Sequence, residues 1–316
     1  MSHVEERFSN LRGRSILITG HTGFKGSWLS FVLSKLGNTL SGYALEPLPT
    51  DLFSLLKIPM VNHFLDIRDQ QSVEHCIAQH KPDIIFHLAA QAFVSQGYTD
   101  PVGTFSTNVM GLVHVLEAAR RHGVHSVVVI STDKVYQAQK HPCTVDRPLE
   151  GSCPYSASKA AAEAVIHAYR KDLNISVARS GNAIGGGDWG KDRLIPDIMR
   201  ARKAHNRIAL RHPTAVRPWI HILELIYGYL LLAEHTLNGQ PSICNFGGRD
   251  QIAVGDIVQF FTERDSLLHT EVQQSVFSEN MHLVLDCTQT TSRLGWKNQL
   301  SAAQMLSHVW EEYLLL

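Results

Sequence analysis

Residues 15–26 read SILITGHTGFKG, and this stretch decides how the first half of the chain folds. Its first five residues form a short run with an apolar centre at residues 16–18, which is typical of a buried strand, and a helical pattern begins at Ser27. Gly20, Gly23 and Gly26 recur between the two elements. Glycines at this spacing permit a tight turn, let a ligand approach the backbone and let the helix pack closely on the strand.

The place of this glycine turn in the sequence indicates its ligand. A helix N-terminus presents free N–H groups and the positive end of the helix dipole, and both favour a phosphate. Glycines that follow a first strand and precede a helix therefore predict a dinucleotide site. The alternative interpretation is an ordinary strand-to-helix loop.

The alternation of strands and helices continues to about residue 180. Apolar runs predict strands at 39–43, 83–89, 126–130 and 175–179, and helical periods lie at 104–121 and 154–171. Strand–helix–strand units in series need right-handed crossovers. The fold class is therefore predicted to be α/β, with a doubly wound parallel (Rossmann) sheet.

The pattern changes where three successive glycines at 185–187 interrupt it. We expect a dinucleotide-binding domain over 1–180 and a smaller C-terminal α/β substrate domain over 181–316. A helical pattern within 221–240 is expected to return to the first domain and pack on its sheet.

Charge and hydropathy exclude several classes of partner. Lys and Arg number 29 and Asp and Glu number 29, so the chain lacks the broad basic surface that nucleic-acid binding requires. The longest apolar stretch, near Leu230, is interrupted by Glu234 and falls short of the roughly 20 residues of a membrane span. Residues 1–10 are polar and do not resemble a signal peptide. We therefore expect a cytoplasmic protein that binds neither nucleic acid nor membrane.

Cysteine and histidine usage argues against disulfides and metal. The five cysteines are odd in number and include no CxxC pair, which fits a reducing compartment. The 18 histidines are scattered along the sequence, so no metal site is predicted.

A tyrosine and a lysine in YSASK, residues 155–159, are candidates for proton transfer. Tyr155 and Lys159 are four residues apart and share one face of a helix. A phenol with a pKa near 10 is a poor base, but a nearby ammonium and an oxidised nicotinamide would both lower that pKa. Such a tyrosine can take a proton from a sugar hydroxyl while a hydride leaves the carbon.

The residues that decide between NAD and NADP are ambiguous. Ala44 occupies the position after the second strand where an acidic residue holds the adenosine ribose, and Glu46 follows two residues later. Lys25 in the glycine turn would favour an added phosphate. NAD is the expected cofactor, and NADP is not excluded. Asp66 and Ile67 are expected to meet the adenine edge, the alternative for Asp66 being a helix N-cap.

Six motifs in order resemble the extended, nucleotide-sugar-modifying branch of the short-chain dehydrogenase/reductase superfamily. They are TGHTGFKG at 19–26, HLAAQ at 87–91, TNVMG at 107–111, STDK at 131–134, YSASK at 155–159 and RSGNAIGGGDW at 179–189. The resemblance implies that Thr132, with Ser131 as the alternative, is the hydroxyl partner of Tyr155. It also implies that Asn108 holds an active-site water and the backbone around it. The predicted cofactor-binding residues are Gly20, Thr22, Gly23, Phe24, Lys25, Gly26, Asp66, Ile67, Leu88, Ala89, Ala90, Asn108, Tyr155 and Lys159.

An acid/base pair after the threonine distinguishes the branches of this superfamily. Asp133 and Lys134 stand where the sugar-nucleotide 4,6-dehydratases carry such a pair, and the sequence is most similar to the CDP-glucose 4,6-dehydratases. The resemblance implies oxidation at C4, loss of water across C5 and C6 with Asp133 as the acid, and return of the hydride to C6. Lys134, or a water that it orders, is the implied base at C5. The alternative for Asp133 and Lys134 is a solvated ion pair.

The predicted contacts with the nucleotide sugar are four polar residues in the second half of the chain and one in the first half. Arginine suits a pyrophosphate because it can donate two parallel hydrogen bonds, although Arg217 in a salt bridge remains the alternative. The predicted substrate-binding residues are Gln91, Asn182, Arg193, Arg217 and His282.

The resemblance also implies a partner and leaves two other functions open. Members of the superfamily commonly dimerise through the helices at 104–121 and 154–171, so a homodimer is expected. The alternatives to a 4,6-dehydratase of CDP-glucose are an NAD(P)-dependent epimerase or reductase, or a dehydratase of another nucleotide sugar. A non-catalytic dinucleotide-binding regulator is the third interpretation.

Overall fold

Seven parallel strands form the central sheet in a computed structural model that describes residues 7–137, 142–273 and 281–315. The order across the sheet is β3-β2-β1-β4-β5-β6-β11. This order confirms the predicted doubly wound α/β fold. The seven strands are β1 (Ser15–Thr19), β2 (Thr39–Ala44), β3 (Val61–Phe64), β4 (Ile84–His87), β5 (Ser126–Thr132), β6 (Asn174–Ser180) and β11 (Ile243–Phe246).

The strand order reverses at β1, which pairs with β2 on one side and with β4 on the other. Thr19, the last residue of β1, lies opposite Tyr43 of β2 and His87 of β4. In open α/β sheets, the crevice beyond the carboxyl ends of such a pair is where ligands bind. The topology therefore places the glycine turn at this crevice.

Helices cover both faces of the sheet, each burying an apolar stripe against it. One face is covered by α1 and α9 and the other by α3, α6 and α7. The helices are α1 (Phe24–Lys35), α2 (Leu52–Leu56), α3 (Gln70–His80), α4 (Val94–Thr99), α5 (Pro101–Phe105), α6 (Gly111–Arg121), α7 (Pro154–Tyr169), α8 (Leu194–Ala204), α9 (Ile222–Leu237), α10 (Val254–Thr262), α11 (Thr288–Leu294) and α12 (Ala302–Leu315).

The helix predicted at 104–121 is two helices joined by one π-helical turn. Helix α5 starts at Pro101, capped by Asp100, whose carboxylate accepts from Gly103 N. The π-turn covers Ser106–Met110, and α6 continues from Gly111. Such turns are often found at functional sites, and this one carries Asn108.

Residues after 180 build a second, smaller unit and also complete the sheet. Strand β11 pairs with β6, and α9 packs beside it, so both belong spatially to the central sheet. The second unit contains three two-stranded sheets and its own apolar core, which includes Ile198, Phe261 and Val309. Its strands are β7 (Ala183–Ile184), β8 (Arg207–Leu210), β9 (Val216–Arg217), β10 (Ile220–His221), β12 (Ile252–Ala253) and β13 (His269–Val272). Within the described part of the chain, no helix combines the length and the apolar character needed to cross a membrane.

Candidate active site

A cleft of about 910 Å³ lies over the carboxyl ends of β1, β4, β5 and β6. The glycine turn lines one wall, and the second unit contributes residues 181–197 and 209–219 to the other. The cleft contains most of the predicted site residues, including Thr132, Asp133, Lys134, Tyr155 and Lys159. Residues far apart in sequence therefore meet in one cavity.

The glycine turn has the close packing that a dinucleotide cradle needs. Gly20 has φ +74°, and a Cβ there would lie 2.6 Å from the backbone nitrogen of Ala89. A Cβ on Gly26 would lie 2.1 Å from the carbonyl oxygen of Gly20. Neither position accepts a side chain without moving backbone. Helix α1 begins after Gly23 with no side-chain cap, which leaves its first N–H groups to a phosphate.

The predicted adenosine end of the cleft is lined by Asp66, Ile67 and Arg68. The Asp66 carboxylate accepts from the Arg68 guanidinium at 3.0 Å and from Arg68 N at 2.9 Å, and this hydrogen bonding lowers its pKa. The cap of α3 is Asp69, which accepts from Gln71 N and Ser72 N. The alternative that Asp66 is a helix N-cap is therefore wrong.

Lys25 does not reach the adenosine ribose, as an added phosphate there would require. Its Nζ donates to Ser180 Oγ at 2.9 Å, at the end of β6. Strands β2 and β6 are four intervals apart, roughly 19 Å at the usual spacing. The interpretation of Lys25 as a contact for an added phosphate is wrong because its side chain points to the opposite end of the cleft.

Tyr155 and Lys159 lie on the buried face of α7, below the ends of β5 and β6. The Thr132 side chain lies beside the Tyr155 phenol and lowers its pKa, while its hydroxyl donates to Asp133 Oδ1 at 3.0 Å. The Ser131 hydroxyl instead donates to Glu163 Oε1 at 2.5 Å and does not face the phenol. Lys159 Nζ donates to the carbonyl oxygen of Ile130 at 2.7 Å. The structure thus pairs the phenol with Thr132.

The electrostatics of Tyr155 differ from the expectation. Burial raises its pKa to about 12, although the Thr132 side chain and the charge of Arg193 act in the opposite direction. Burial thus outweighs the lowering expected from Lys159, whose ammonium donates to a backbone carbonyl. Burial also lowers the pKa of Lys159 to about 8, against the opposing charge of Glu163.

Glu163 and Arg179 form a buried network behind Lys159 that was not predicted. Arg179 Nε lies 3.1 and 3.0 Å from the two Glu163 oxygens, and Nη1 donates to the Tyr136 hydroxyl at 2.9 Å. Both charged side chains are about 95% buried. The spacing of Lys159 and Glu163, four residues on one helix, was the available signal.

Asp133 lines the cleft with one of its two carboxyl oxygens engaged and the other without a partner. Its side chain is fully buried, and Oδ1 accepts from Thr132 Oγ1 at 3.0 Å and lies 3.5 Å from Lys134 Nζ. Its other oxygen, Oδ2, is buried with no hydrogen-bond partner in the described protein. An unsatisfied buried carboxylate oxygen is costly unless a ligand completes it. The ion pair of Asp133 with Lys134 is present, but its Asp133 end is buried and so it is not the solvated pair of the alternative.

Asn108 and Gln91 stabilise the loop after β4 by hydrogen bonds. Asn108 exchanges hydrogen bonds with the Gln91 backbone, at 2.8 and 3.0 Å, and donates to Ser158 Oγ at 2.8 Å. The Gln91 amide donates to Thr104 Oγ1 and accepts from Phe93 N. Asn108 thus holds the backbone at Gln91, as the resemblance implied, and Gln91 lies on the wall of the cleft. Contact of Asn108 with the cofactor and of Gln91 with the substrate stays a prediction. Leu88, Ala89 and Ala90 line the cleft, and their contact with the cofactor stays a prediction.

The other predicted substrate residues differ in burial, in their contacts and in whether they line the cleft. Asn182 Oδ1 accepts from Lys134 Nζ at 3.2 Å, and Arg193 pairs with both oxygens of Asp188 at 2.9 and 3.0 Å. Arg217 is buried and lines the cleft. His282 is exposed, forms a backbone bridge with Val216 and lies outside the cleft lining. Contact between His282 and substrate stays a prediction.

Comparison with known proteins agrees with this geometry. Residues 16–247 match the NAD dependent epimerase/dehydratase family. The chain belongs to this family. As a family member it uses NAD, and the glycine cradle and the open first turn of α1 fit the pyrophosphate of that cofactor.

Individual members of the epimerase/dehydratase family align along almost the whole chain. A CDP-glucose 4,6-dehydratase of Salmonella typhimurium is 36% identical over 94% of this chain and 90% of its own length. A UDP-glucose 4-epimerase of Neisseria meningitidis is 26% identical over 94% and 96%. The structure of a dTDP-glucose 4,6-dehydratase from Streptomyces venezuelae superposes with a TM-score of 0.83 at 24% identity, covering 95% of this chain and 97% of that chain. The last similarity shows the shared fold.

Proposed function

We propose that this protein is a nucleotide-sugar 4,6-dehydratase that converts CDP-glucose to CDP-4-keto-6-deoxyglucose. The observation that carries the proposal is the unpartnered Oδ2 of Asp133, a buried acid beside Lys134 and the Tyr155–Thr132 pair. An epimerase needs to remove and return only the hydrogens at C4. A dehydratase also needs an acid to release the C6 hydroxyl, and Asp133 provides one.

Tyr155 and Thr132 perform the first proton transfer. NAD, when bound, supplies the acceptor for the two electrons that leave C4, the donor that returns them to C6 and a positive charge that favours phenolate. Tyr155 takes the proton of the C4 hydroxyl, and the neighbouring Thr132 side chain lowers the pKa of the phenol. Because burial alone raises the pKa of Tyr155, the added positive charge and the Thr132 side chain are what make it a usable base.

Asp133 and Lys134 perform the elimination. The C4 ketone acidifies the proton at C5, and Lys134, or a water that it orders, removes that proton. Asp133 gives its proton to the C6 hydroxyl, which leaves as water, and a C5–C6 double bond forms. Return of the hydride to C6 and of a proton to C5 completes the 4-keto-6-deoxy sugar. The net change is the loss of one water.

The second unit supplies cations for the substrate diphosphate. Arg193 and Arg217 line the cleft in an otherwise neutral chain. The Asp188 carboxylate accepts hydrogen bonds from the Arg193 guanidinium and fixes its orientation. A guanidinium matches the geometry of phosphate oxygens. We infer that these arginines, with Asn182, bind the diphosphate and sugar.

We further infer that the protein works as a homodimer in the cytoplasm. Apolar side chains are exposed along α5 and the π-turn: Val102 is 80% exposed, Met110 46% and Phe105 38%. Helix α7 packs beside this segment, so the two could form a shared face with a second copy. All five cysteines are free, which suits a reducing compartment.

Incubation with CDP-glucose and NAD tests the proposed reaction by mass spectrometry. The expected product is lighter by one water, with no net accumulation of NADH. Isomerisation at constant mass, or stoichiometric NADH, would instead indicate an epimerase or a dehydrogenase. Binding of NAD without turnover of CDP-, dTDP-, GDP- or UDP-hexoses would support a regulator. Turnover of a hexose on another nucleobase would keep the chemistry and correct the substrate.

A further inference from the structure

Two histidines and a cysteine converge between β3 and α3, away from the catalytic cleft. His63 belongs to β3, and Cys76 and His80 lie one turn apart on α3. The Nε2 atoms of His63 and His80 are 2.7 Å apart, and the Cys76 sulfur and the two imidazoles offer donor atoms all within 4.8 Å of one another. Residues that are scattered in the sequence are thus assembled by the fold into one cluster.

The chemistry of the three donors selects a class of metal. Two imidazole nitrogens and one thiolate are the ligands that Zn²⁺ and similar borderline divalent ions prefer, and three protein ligands leave a fourth position for water. Hard cations such as Mg²⁺ and Ca²⁺ require oxygen ligands instead. The cluster therefore favours zinc or a related transition metal.

Metal binding at this cluster requires the Cys76 thiol to lose its proton, because the thiolate is the metal ligand. It also replaces the hydrogen bond between the two imidazole Nε2 atoms. Binding forms a metal–sulfur bond and releases the thiol proton to solvent.

We propose that His63, Cys76 and His80 form a binding site for a divalent transition metal such as Zn²⁺. The site would tie β3 to α3 across the loop that carries Asp66 and Ile67. Tyr43, on the neighbouring strand, donates to the carbonyl oxygen of Asp66 at 3.0 Å, so the same loop is anchored from two sides. The metal stabilises this corner of the fold and takes no part in the reaction.

Titration of the metal-free full-length protein with Co²⁺ tests the site. After removal of bound metal with EDTA, one equivalent of Co²⁺ should produce thiolate-to-cobalt absorption and the visible bands of a tetrahedral ion, and Zn²⁺ should abolish both. Zn²⁺ should also raise the unfolding temperature. Cys76→Ala should lose the thiolate absorption, and His80→Asn should bind Co²⁺ at least about tenfold more weakly.

A matched variant and a second ligand position keep this test decisive. His75→Asn removes an exposed imidazole next to Cys76 and should leave the Co²⁺ spectrum unchanged. If Cys76→Ala does not fold, the affinity of His80→Asn for Co²⁺ tests the site instead, because His80 is only half-buried. Absence of the thiolate band in the wild type, or an undiminished band in Cys76→Ala, overturns the proposal whether or not the protein dehydrates CDP-glucose.

Discussion

Lys25 Nζ donates a hydrogen bond to Ser180 Oγ at 2.9 Å, which joins the glycine turn after β1 to the end of β6. The lysine thereby enters a group of cations that includes Lys134, Lys159 and Arg193. Burial and these like charges lower the pKa of Lys25 to about 7. The active site thus holds a buried amine that is partly neutral near physiological pH.

The buried amine predicts how stability depends on pH. Between about pH 7 and pH 10 the folded state holds Lys25 neutral while the unfolded chain keeps it protonated. The unfolded state binds more protons, so the Lys25 contribution makes the free energy of unfolding rise with pH. Lys25→Met should be more stable than wild type near pH 6, by up to about 1.4 kcal/mol per unit of pKa shift, and this advantage should shrink as the pH rises from about 7 to about 10.5. Urea unfolding at several pH values measures this, with exposed Lys35→Met as the control.

Removal of the Tyr155 hydroxyl should stop the reaction at its first step. Tyr155→Phe loses the base at C4 and should lower kcat by about 10²–10⁴. Affinity for NAD, followed by fluorescence, should change little, because the glycine cradle is intact. Tyr169→Phe, near the end of the same helix, is the control and should keep full turnover. Wild-type turnover in Tyr155→Phe would disprove the assigned role.

Asp133→Asn should separate oxidation from elimination. The amide cannot give a proton to the C6 hydroxyl, so loss of water should slow by roughly 10²-fold or more. Oxidation at C4 should persist, and reduction with borohydride should trap the 4-keto sugar that still carries its C6 hydroxyl. Equal slowing of both steps would mean that Asp133 acts before the elimination.

Glu163→Gln should change both stability and the pH profile. Arg179 would keep a buried charge without its carboxylate, at a cost of about 3–5 kcal/mol in the free energy of unfolding. The charge of Glu163 raises the pKa of Lys159, so its loss should move that pKa below about 8. The alkaline limb of the activity profile should shift to lower pH, whereas a purely structural role would leave the profile in place.

A charge on the exposed apolar face should disrupt the proposed dimer. Val102→Asp with Phe105→Asp places two carboxylates where α5 exposes apolar surface. Sedimentation should show a monomer, because a desolvated unpaired charge opposes association. Leu48→Asp, at a side chain that is 65% exposed elsewhere, should sediment as wild type. Wild-type protein that sediments as a monomer at micromolar concentration would contradict the dimer itself.

Local patterns were sufficient for the strands, the turn and the class of chemistry. The apolar run at 15–19 became β1 without a shift of either end, since a buried parallel strand needs apolar residues on both faces. The order of the motifs also indicated the family. Such features depend on neighbours in sequence, and a single sequence displays them.

The tertiary structure alone decided which groups meet. The 2.9 Å contact of Lys25 with Ser180 spans 155 positions, and the convergence of His63 with Cys76 and His80 depends on how α3 packs on the sheet. The pKa of Tyr155 likewise depends on burial, which outweighs the effect expected from a lysine four residues away. The sequence determined the elements and the reactive side chains. What each side chain does was decided by its direction and its desolvation, because both arise only when distant segments pack.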